Sequence, residues 1–439
     1  MVIMTSEDLL SSESLAETRI SEPATKGPGL TIENANKLQK KDIVSNTSNQ
    51  NRKKRWSHNK LPLKPILDQD TLRKALRSAN IHLKANQLES FYQQLHRQNY
   101  PSLSDFVKNY SANANRKKNE MSVSNNNHLN TKTKQKTQKN ALQLPKAFLN
   151  FLLESENLKN ERNVETEPVI NEDEYSSLYQ IPQFATLTSY VSHHATSADG
   201  TTTKLAVTLQ GNNLNNSQNV NDKEFTVETV IMRHGGSRIT LCVSSQVGCA
   251  MGCTFCATGT MGILGNLSSG EILEQIVHAE NYLRQEALEK KQREKHDQRN
   301  DNETPKDSSS SNDFQGIRNV VFMGMGEPLN NYKNVVNACK GLMDRRRWNL
   351  AHHRITVSTV GVTSKMRQLT QDLPEVNLAL SLHAPNQKMR TKIVPTASRY
   401  PIEGLIDALD GHMASHGNKP TSQKQNQKRK AMIEYVMCK

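Results

Sequence analysis

The spacing of apolar residues changes period along the chain, and each change predicts an element. Between Asp70 and Val107 the period is helical: Leu72 and Leu76 are four apart, and Leu88, Phe91, Tyr92 and Leu95 follow i, i+3, i+4, i+7. Pro101 closes the second of these helices. Helical character returns at Leu144 and runs to about Glu154. From Phe184 to Val230 the period becomes two. Leu205, Val207 and Leu209 alternate, Asp199-Gly200 marks a turn, and the run from Phe225 forms the returning strand of a hairpin. Further on, strand and helix alternate. Strands are predicted at 239–245, 319–323, 354–360, 377–383 and 432–437, and helices at about 333–345, 363–372 and 402–415. Ser268 and Glu271 form a capping box that opens another helix, with Ile272, Ile276 and Leu283 on its apolar face. Repeated strand–helix order implies an α/β fold with a parallel sheet, in an open or a barrel arrangement.

Composition divides the rest. Only 35% of the 439 residues are hydrophobic, and mean hydropathy is −0.72, so a good part of the chain should lie outside any packed core. The expected organisation is a disordered tail over 1–60 and a helical accessory domain over 61–155, with a low-complexity insertion at 111–140. A β-hairpin connecting segment follows over 156–236, its Asn-rich piece 211–222 forming the loop. The α/β core takes 237–439, with a disordered insertion at 286–313. Net charge is +14, which favours a polyanionic partner such as nucleic acid. The six cysteines cluster rather than scatter, arguing for a reducing compartment. No window approaches eighteen apolar residues, and the early acids Glu7, Asp8 and Glu13 suit neither a signal nor a transit peptide. A cytoplasmic monomer without membrane contact is expected, with organellar import left open.

Three thiols stand at Cys249, Cys253 and Cys256 in a CxxxCxxC spacing. Thiolates are the preferred ligands of iron–sulfur clusters, which normally take four; three from one loop would hold a [4Fe-4S] cluster with one iron open to a ligand. Zinc and inert core thiols are the competing readings, although zinc usually wants paired CxxC motifs or added histidine. Gly324-Met-Gly326-Glu327-Pro328 ends an apolar strand. Its glycines allow close backbone approach, and Glu327 or a nearby carbonyl could take an ammonium group; a tight structural turn is the alternative. Ser358 and Ser381 at strand ends could bind a carboxylate or ribose, or be ordinary polar termini. The strands' C-terminal ends gather all these motifs on one rim, where barrels of this class place their chemistry. Arg345-Arg346-Arg347 suits a phosphate contact or a charged helix end equally, and His352 and His353 read as solvated or RNA-facing.

These motifs carry a resemblance. CxxxCxxC is similar to the cluster motif of radical S-adenosylmethionine enzymes. The stretches Leu241 to Gly259, Val321 to Leu329 and Leu380 to Asn386 resemble more closely the dual-specificity adenine-C2 methyltransferases of large-subunit rRNA and tRNA. The resemblance covers about 66–110, 141–284 and 314–437 and implies a partial radical S-adenosylmethionine barrel. It implies Cys249, Cys253 and Cys256 as cluster ligands, and Gly326, Glu327, Ser358, Ser381, Leu382 and His383 as S-adenosylmethionine-binding positions. Cys242 matches the cysteine that resolves a protein–RNA adduct, and Glu228 the proton acceptor, with one extra residue between the two. An electron donor of flavodoxin or ferredoxin type is implied as partner. The family continues beyond the strand ending near Cys438 with a sixth strand, a further cofactor-binding Asn and a methyl-carrying cysteine, so a truncated core is expected. An adenine-C8 methylating relative and a non-catalytic RNA-binding chain are the alternatives.

Overall fold

The computed structural model describes residues 63–124, 143–161, 183–210, 225–235, 238–300, 316–415 and 431–436. The expected tail over 1–60, the Asn-rich loop 211–222 and Cys438 lie outside them. A short strand β1 (Leu63–Pro65) leads into four helices: α1 (Gln69–Ser78), α2 (Ala85–Arg97), α3 (Leu103–Ser124) and α4 (Lys146–Glu161). The predicted apolar face of α2 is fully inward: Leu88, Phe91, Tyr92 and Leu95 are all buried. Phe91 meets Phe106 and Phe148 edge-on at 5.1 Å, so one ring pins three helices together. One expectation is corrected here, and one pairing is new. The low-complexity stretch beginning at 111 starts as helix and stays helical to Ser124. β1 pairs in parallel with β2 (Gln183–Ala185), a contact across more than a hundred residues that no local pattern announces.

The remaining strands share one sheet. They are β3 (Ser189–Thr196), β4 (Thr202–Leu209), β5 (Phe225–His234), β6 (Arg238–Cys242), β9 (Asn319–Phe322), β10 (Ile355–Thr359), β11 (Asn377–Ser381) and β12 (Met432–Glu434), with β7 (Gln246–Gly248) and β8 (Ile263–Asn266) forming a separate small ladder. The order is β12-β11-β10-β9-β6-β5-β4-β3. β3 to β6 pair antiparallel, whereas β6, β9, β10, β11 and β12 run parallel. The predicted hairpin therefore continues edge to edge into the α/β core through the β5–β6 pairing.

Four helices connect and cover the parallel strands: α6 (Ser269–Asn300), α7 (Tyr332–Met343), α8 (Thr363–Asp372) and α10 (Ile402–Ala414). The capping box forms as expected, with Glu271 accepting from the Ser268 amide at 2.7 Å and from its hydroxyl at 2.8 Å. α6 runs to Asn300, which corrects the expected disorder from 286: Lys, Glu, Gln and Arg are strong helix formers, and Lys290–Glu294 and Glu289–Arg293 pair one turn apart. Residues 301–313 of that expected insertion lie outside the described ones. Among the described residues no helix is long and apolar enough to cross a membrane.

Because side chains alternate across a strand and hydrogen-bonded partners share a face, register sorts the sheet into two surfaces. Leu241, Val320, Phe322, Val357, Leu378, Leu380 and Ile433 lie on one and are buried in the main core. The opposite surface carries Glu228 and Val230 of β5. It continues through Cys242 opposite Val230, Val321 opposite Cys242, Thr356 opposite Val321, and so to Ser358, Ser381 and Glu434.

Candidate functional site

The cysteine loop follows β7 and leads into the short helix α5 (Ala257–Met261). Cys249 and Cys253 are buried, Cys256 is half-buried, and all three are free thiols. They pack with Met251, Val360, Ile393, Val394 and Ala397 in an apolar cluster of their own. The Thr254 amide donates to the Ile393 carbonyl at 2.9 Å, tying the loop to α9 (Gln387–Ile393). Burial pushes the Cys249 and Cys253 thiols up, Cys253 to about 11, with the Cys256 sulfur adding to both shifts and the Cys249 sulfur to that of Cys253. Among the described residues no three His, Cys, Asp or Glu side chains converge on a single ion. Three thiolates at separate corners of a multi-iron cluster need not converge in that way. Three free thiols packed together against an apolar cluster thus fit an iron–sulfur cluster.

Next to it, the loop after β9 is held by an exchange of hydrogen bonds with residues 244–246. The Met325 amide donates to Ser244 Oγ at 2.9 Å, the Ser245 amide to the Met325 carbonyl at 2.9 Å, and the Glu327 amide to Gln246 Oε1 at 2.9 Å. Two glycines make this approach possible. A Cβ on Gly324 would stand 2.8 Å from the Ser244 amide, and one on Gly326, whose φ is +98°, would stand 2.5 Å from Gln246 Cβ. Glu327, where the sequence offers the side chain or a nearby carbonyl to an ammonium group, is engaged with the backbone of two loops. It is buried, its Oε1 accepts from the Leu329 amide at 3.0 Å and its Oε2 from the Val360 amide at 2.9 Å, so its side chain joins the loops after β9 and β10.

At the ends of β10, β11 and β12 the Ser358 and Ser381 hydroxyls are 2.9 Å apart, and both reach Glu434 Oε2, at 3.3 and 2.8 Å. Glu434 Oε1 is buried without a partner. Sequence reasoning missed Glu434, although its register opposite Ser381 carries the signal. His383 follows β11 with φ +63°, in the left-handed region that favours glycine. Its ring lies edge-on to Phe255 of the cysteine loop at 4.8 Å, and its Nδ1 is buried and unpartnered. Burial, then the Arg390 charge, pushes His383 down to about 4, so it is neutral at pH 7. Leu382 is buried and offers only its main chain, its carbonyl accepting from Arg390.

Cys242 is half-buried on the same sheet face, and burial pushes its thiol up to about 12, with Glu434 and Glu228 adding to the shift. Glu228 is exposed and paired with Lys204 at 3.0 Å. The structure thus joins the cysteine, Gly-Glu-Pro, Ser358 and His383 loops directly, and sets Cys242 and Glu228 farther along the face. The triple arginine stands apart from it. Arg347 is buried over the Tyr92 ring, 4.3 Å from its centroid, and bonded to Asp344, while Arg346 pairs with Glu89 of α2. Two of the three therefore dock the helical module rather than await a phosphate.

Residues 243–412 match the Radical SAM superfamily. That stretch is what the chain shares with radical SAM proteins. Over part of the chain the similarity narrows. A ribosomal RNA large subunit methyltransferase N of Nitrosopumilus maritimus is 36% identical over 52% of this chain and 56% of its own length. A probable dual-specificity RNA methyltransferase RlmN of Fervidobacterium nodosum is 41% identical over 46% and 49%. A second RlmN of that description, from Opitutus terrae, is 43% identical over 44% and 46%. The family resemblance read from the motifs is borne out over the matched stretch, and the chain spans about half the length of these relatives. A radical SAM methyltransferase from Sphaerobacter thermophilus shares the fold, with a TM-score of 0.53 at 24% identity over 85% of this chain and 76% of that one.

Proposed function

We propose that this chain carries the cofactor-binding part of a radical S-adenosylmethionine RNA methyltransferase acting at adenine C2 of large-subunit rRNA and tRNA. The observation behind the reading is the gathering of three free cysteines, in CxxxCxxC spacing, on the rim where the Ser358, Ser381 and His383 strand ends also lie. Similarity to relatives bearing the dual-specificity name supports the substrate assignment, and the net charge of +14 suits RNA. Cys249, Cys253 and Cys256 would hold a [4Fe-4S] cluster, which with S-adenosylmethionine supplies reductive cleavage of a sulfonium carbon–sulfur bond, given an electron from a low-potential flavodoxin- or ferredoxin-type donor.

The chain's own groups prepare that site. Met251, Val360, Val394 and Ala397 pack against the thiols and bury Cys249 and Cys253. Gly326 and Glu327 shape the loop on which a methionine amino group would be received by main-chain oxygens, with the Glu327 carboxylate turned to the Leu329 and Val360 amides. Ser358 and Ser381 present hydroxyls, with the open Glu434 oxygen beside them, to polar groups of a nucleoside. Neutral His383 can donate or accept one hydrogen bond, and Leu382 lines the strand end. Cys242 is held as a neutral thiol, as a group that must keep its proton until a late resolving step would be, and Glu228 on the same face is the proton acceptor. Anaerobic reconstitution tests the reading: about four irons per chain and 5′-deoxyadenosine released from S-adenosylmethionine under reductant are expected. Failure to take up a cluster, or zinc in its place, refutes it. The position of methyl groups on adenine, read by mass spectrometry of treated RNA, separates C2 from C8.

A further inference from the structure

Arg390 lies on α9 and has no exposed surface. Its guanidinium donates Nε to the Leu382 carbonyl at 3.2 Å, Nη1 to the Tyr400 carbonyl at 3.3 Å, and Nη2 to the Val360 carbonyl. Main-chain oxygens solvate a cation but do not neutralise it. Among the described residues the ion pairs of the structure include none to Arg390, and the one acidic group acting on it is the Cys253 thiol. A buried cation without a counter-charge is costly, and structures tolerate one where an anion completes the site. The same short helix grips the cysteine loop. Thr254 donates to Ile393, the Val394 amide donates to the Arg390 carbonyl at 2.7 Å, and Val394 and Ala397 pack on Cys249 and Cys253.

We propose that Arg390 is a positioning residue that supplies the buried counter-charge of the thiolate-bound cluster and raises its reduction potential. The inference rests on the cluster assignment above. Three thiolates around a dicationic [4Fe-4S] core make a monoanion. One electron from a low-potential donor makes it a dianion, with no proton moved. A fixed cation in a dry site stabilises the dianion more, so reduction becomes easier; charge and burial are recognised determinants of cluster potentials. The guanidinium acts through space, because its hydrogen bonds go to carbonyls. No pattern in the run Gln387-Lys-Met-Arg-Thr-Lys392 distinguishes it from a solvated basic stretch.

The test compares wild type, R390Q and R390K, each anaerobically reconstituted, by iron and sulfide content, thermal melting of the apo protein, and an EPR-monitored dithionite titration. R390Q keeps donors toward the carbonyls but removes the charge; R390K keeps the charge. Both variants should melt lower than wild type. The midpoint potential should move to more negative values in R390Q and stay near wild type in R390K. Should R390Q not fold, the apolar R390M carries the same comparison. Equal potentials in wild type and the neutral variant, or equal shifts in R390Q and R390K, overturn the inference while leaving the cluster reading intact. A wild-type chain that holds no cluster overturns the reading itself.

Discussion

Glu327 is where structure and sequence expectation pull hardest against each other, and Glu327→Gln separates them. The carboxylate accepts one backbone amide on each oxygen, from Leu329 at 3.0 Å and Val360 at 2.9 Å, at 2% exposure. A glutamine of the same shape has one acceptor and one donor group at its end. Either orientation points an N–H at one of the two backbone amides, which loses its acceptor. Hydrogen bonds to a charged acceptor contribute about 1.5–3 kcal/mol, and a buried unsatisfied group costs about 1–3 kcal/mol. Against this, burial pushes the Glu327 carboxyl up, and the neutral amide escapes that desolvation cost. The net expectation is roughly 2–3 kcal/mol of lost stability, or several degrees in Tm for a domain of this size. Melting of the apo protein measures it, and hydrogen exchange at the Leu329 and Val360 amides locates it, with both expected to exchange faster. A variant that melts within a degree of wild type with unchanged amide protection, while losing S-adenosylmethionine affinity, refutes the structural role and returns Glu327 to ligand binding.

Three further outcomes follow from the same geometry. Glu274 on α6 is fully buried, its Oε1 accepting from the Thr188 amide at 2.8 Å and its Oε2 from Ser189 Oγ, and burial pushes its carboxyl up to about 8. The folded protein therefore holds a proton that the unfolded chain has released, and stability contributed at low pH is lost as pH rises from about 4.5 through about 8, by up to ~1.4 kcal/mol per pH unit. Glu274→Gln should flatten that slope in melting curves taken from pH 5 to 9, and Glu271, pushed up to about 7, should retain part of it; an unchanged slope sinks the assignment. Gly326→Ala forces a left-handed φ on a side chain whose Cβ meets Gln246 at 2.5 Å, and should cost roughly 2–4 kcal/mol by melting, whereas a neutral result would mean the loop moves freely. Cys339, buried with its thiol pushed up to about 12, should resist iodoacetamide in the folded protein at pH 7.5 and react on unfolding; labelling in the folded state at the rate of half-buried Cys256 contradicts the packing.

Much of the fold was legible because periodicity reports burial. The α2 face, the strands from Ile239 onward and the Ser268–Glu271 cap stand where the pattern puts them. The failures share a cause. Residues 111–124 and 286–300 were judged by polarity, yet polar residues such as Lys, Glu, Gln and Arg continue a helix on propensity alone once a buried first part has started it. β1 and β2 have three residues each and pair at long range, which leaves no local trace. At the site, residue types were legible and their engagement was not. Spacing identifies Glu327, but only the folded chain reveals that both its oxygens are already taken.

The sheet parity explains why the candidate residues belong together despite spanning more than two hundred positions. Each parallel crossover returns the chain to the same end of the sheet, so β6, β9, β10, β11 and β12 all present their C-terminal ends to one rim. On that rim the residue parity chosen by the helix-covered face is fixed by Leu241, Phe322, Val357 and Leu380, which must point into the core. The alternate positions Cys242, Ser358 and Ser381 then have no choice of face, and Glu434 follows through its register with Ser381. The hydrophobic core thereby sets the polar site. A one-residue slip in β10 or β11 would bury Ser358 or Ser381 among the helices and expose leucine to the cysteine loop, which is why the glycines that lock the neighbouring loop to residues 244–246 matter to the chemistry as well as to the turn.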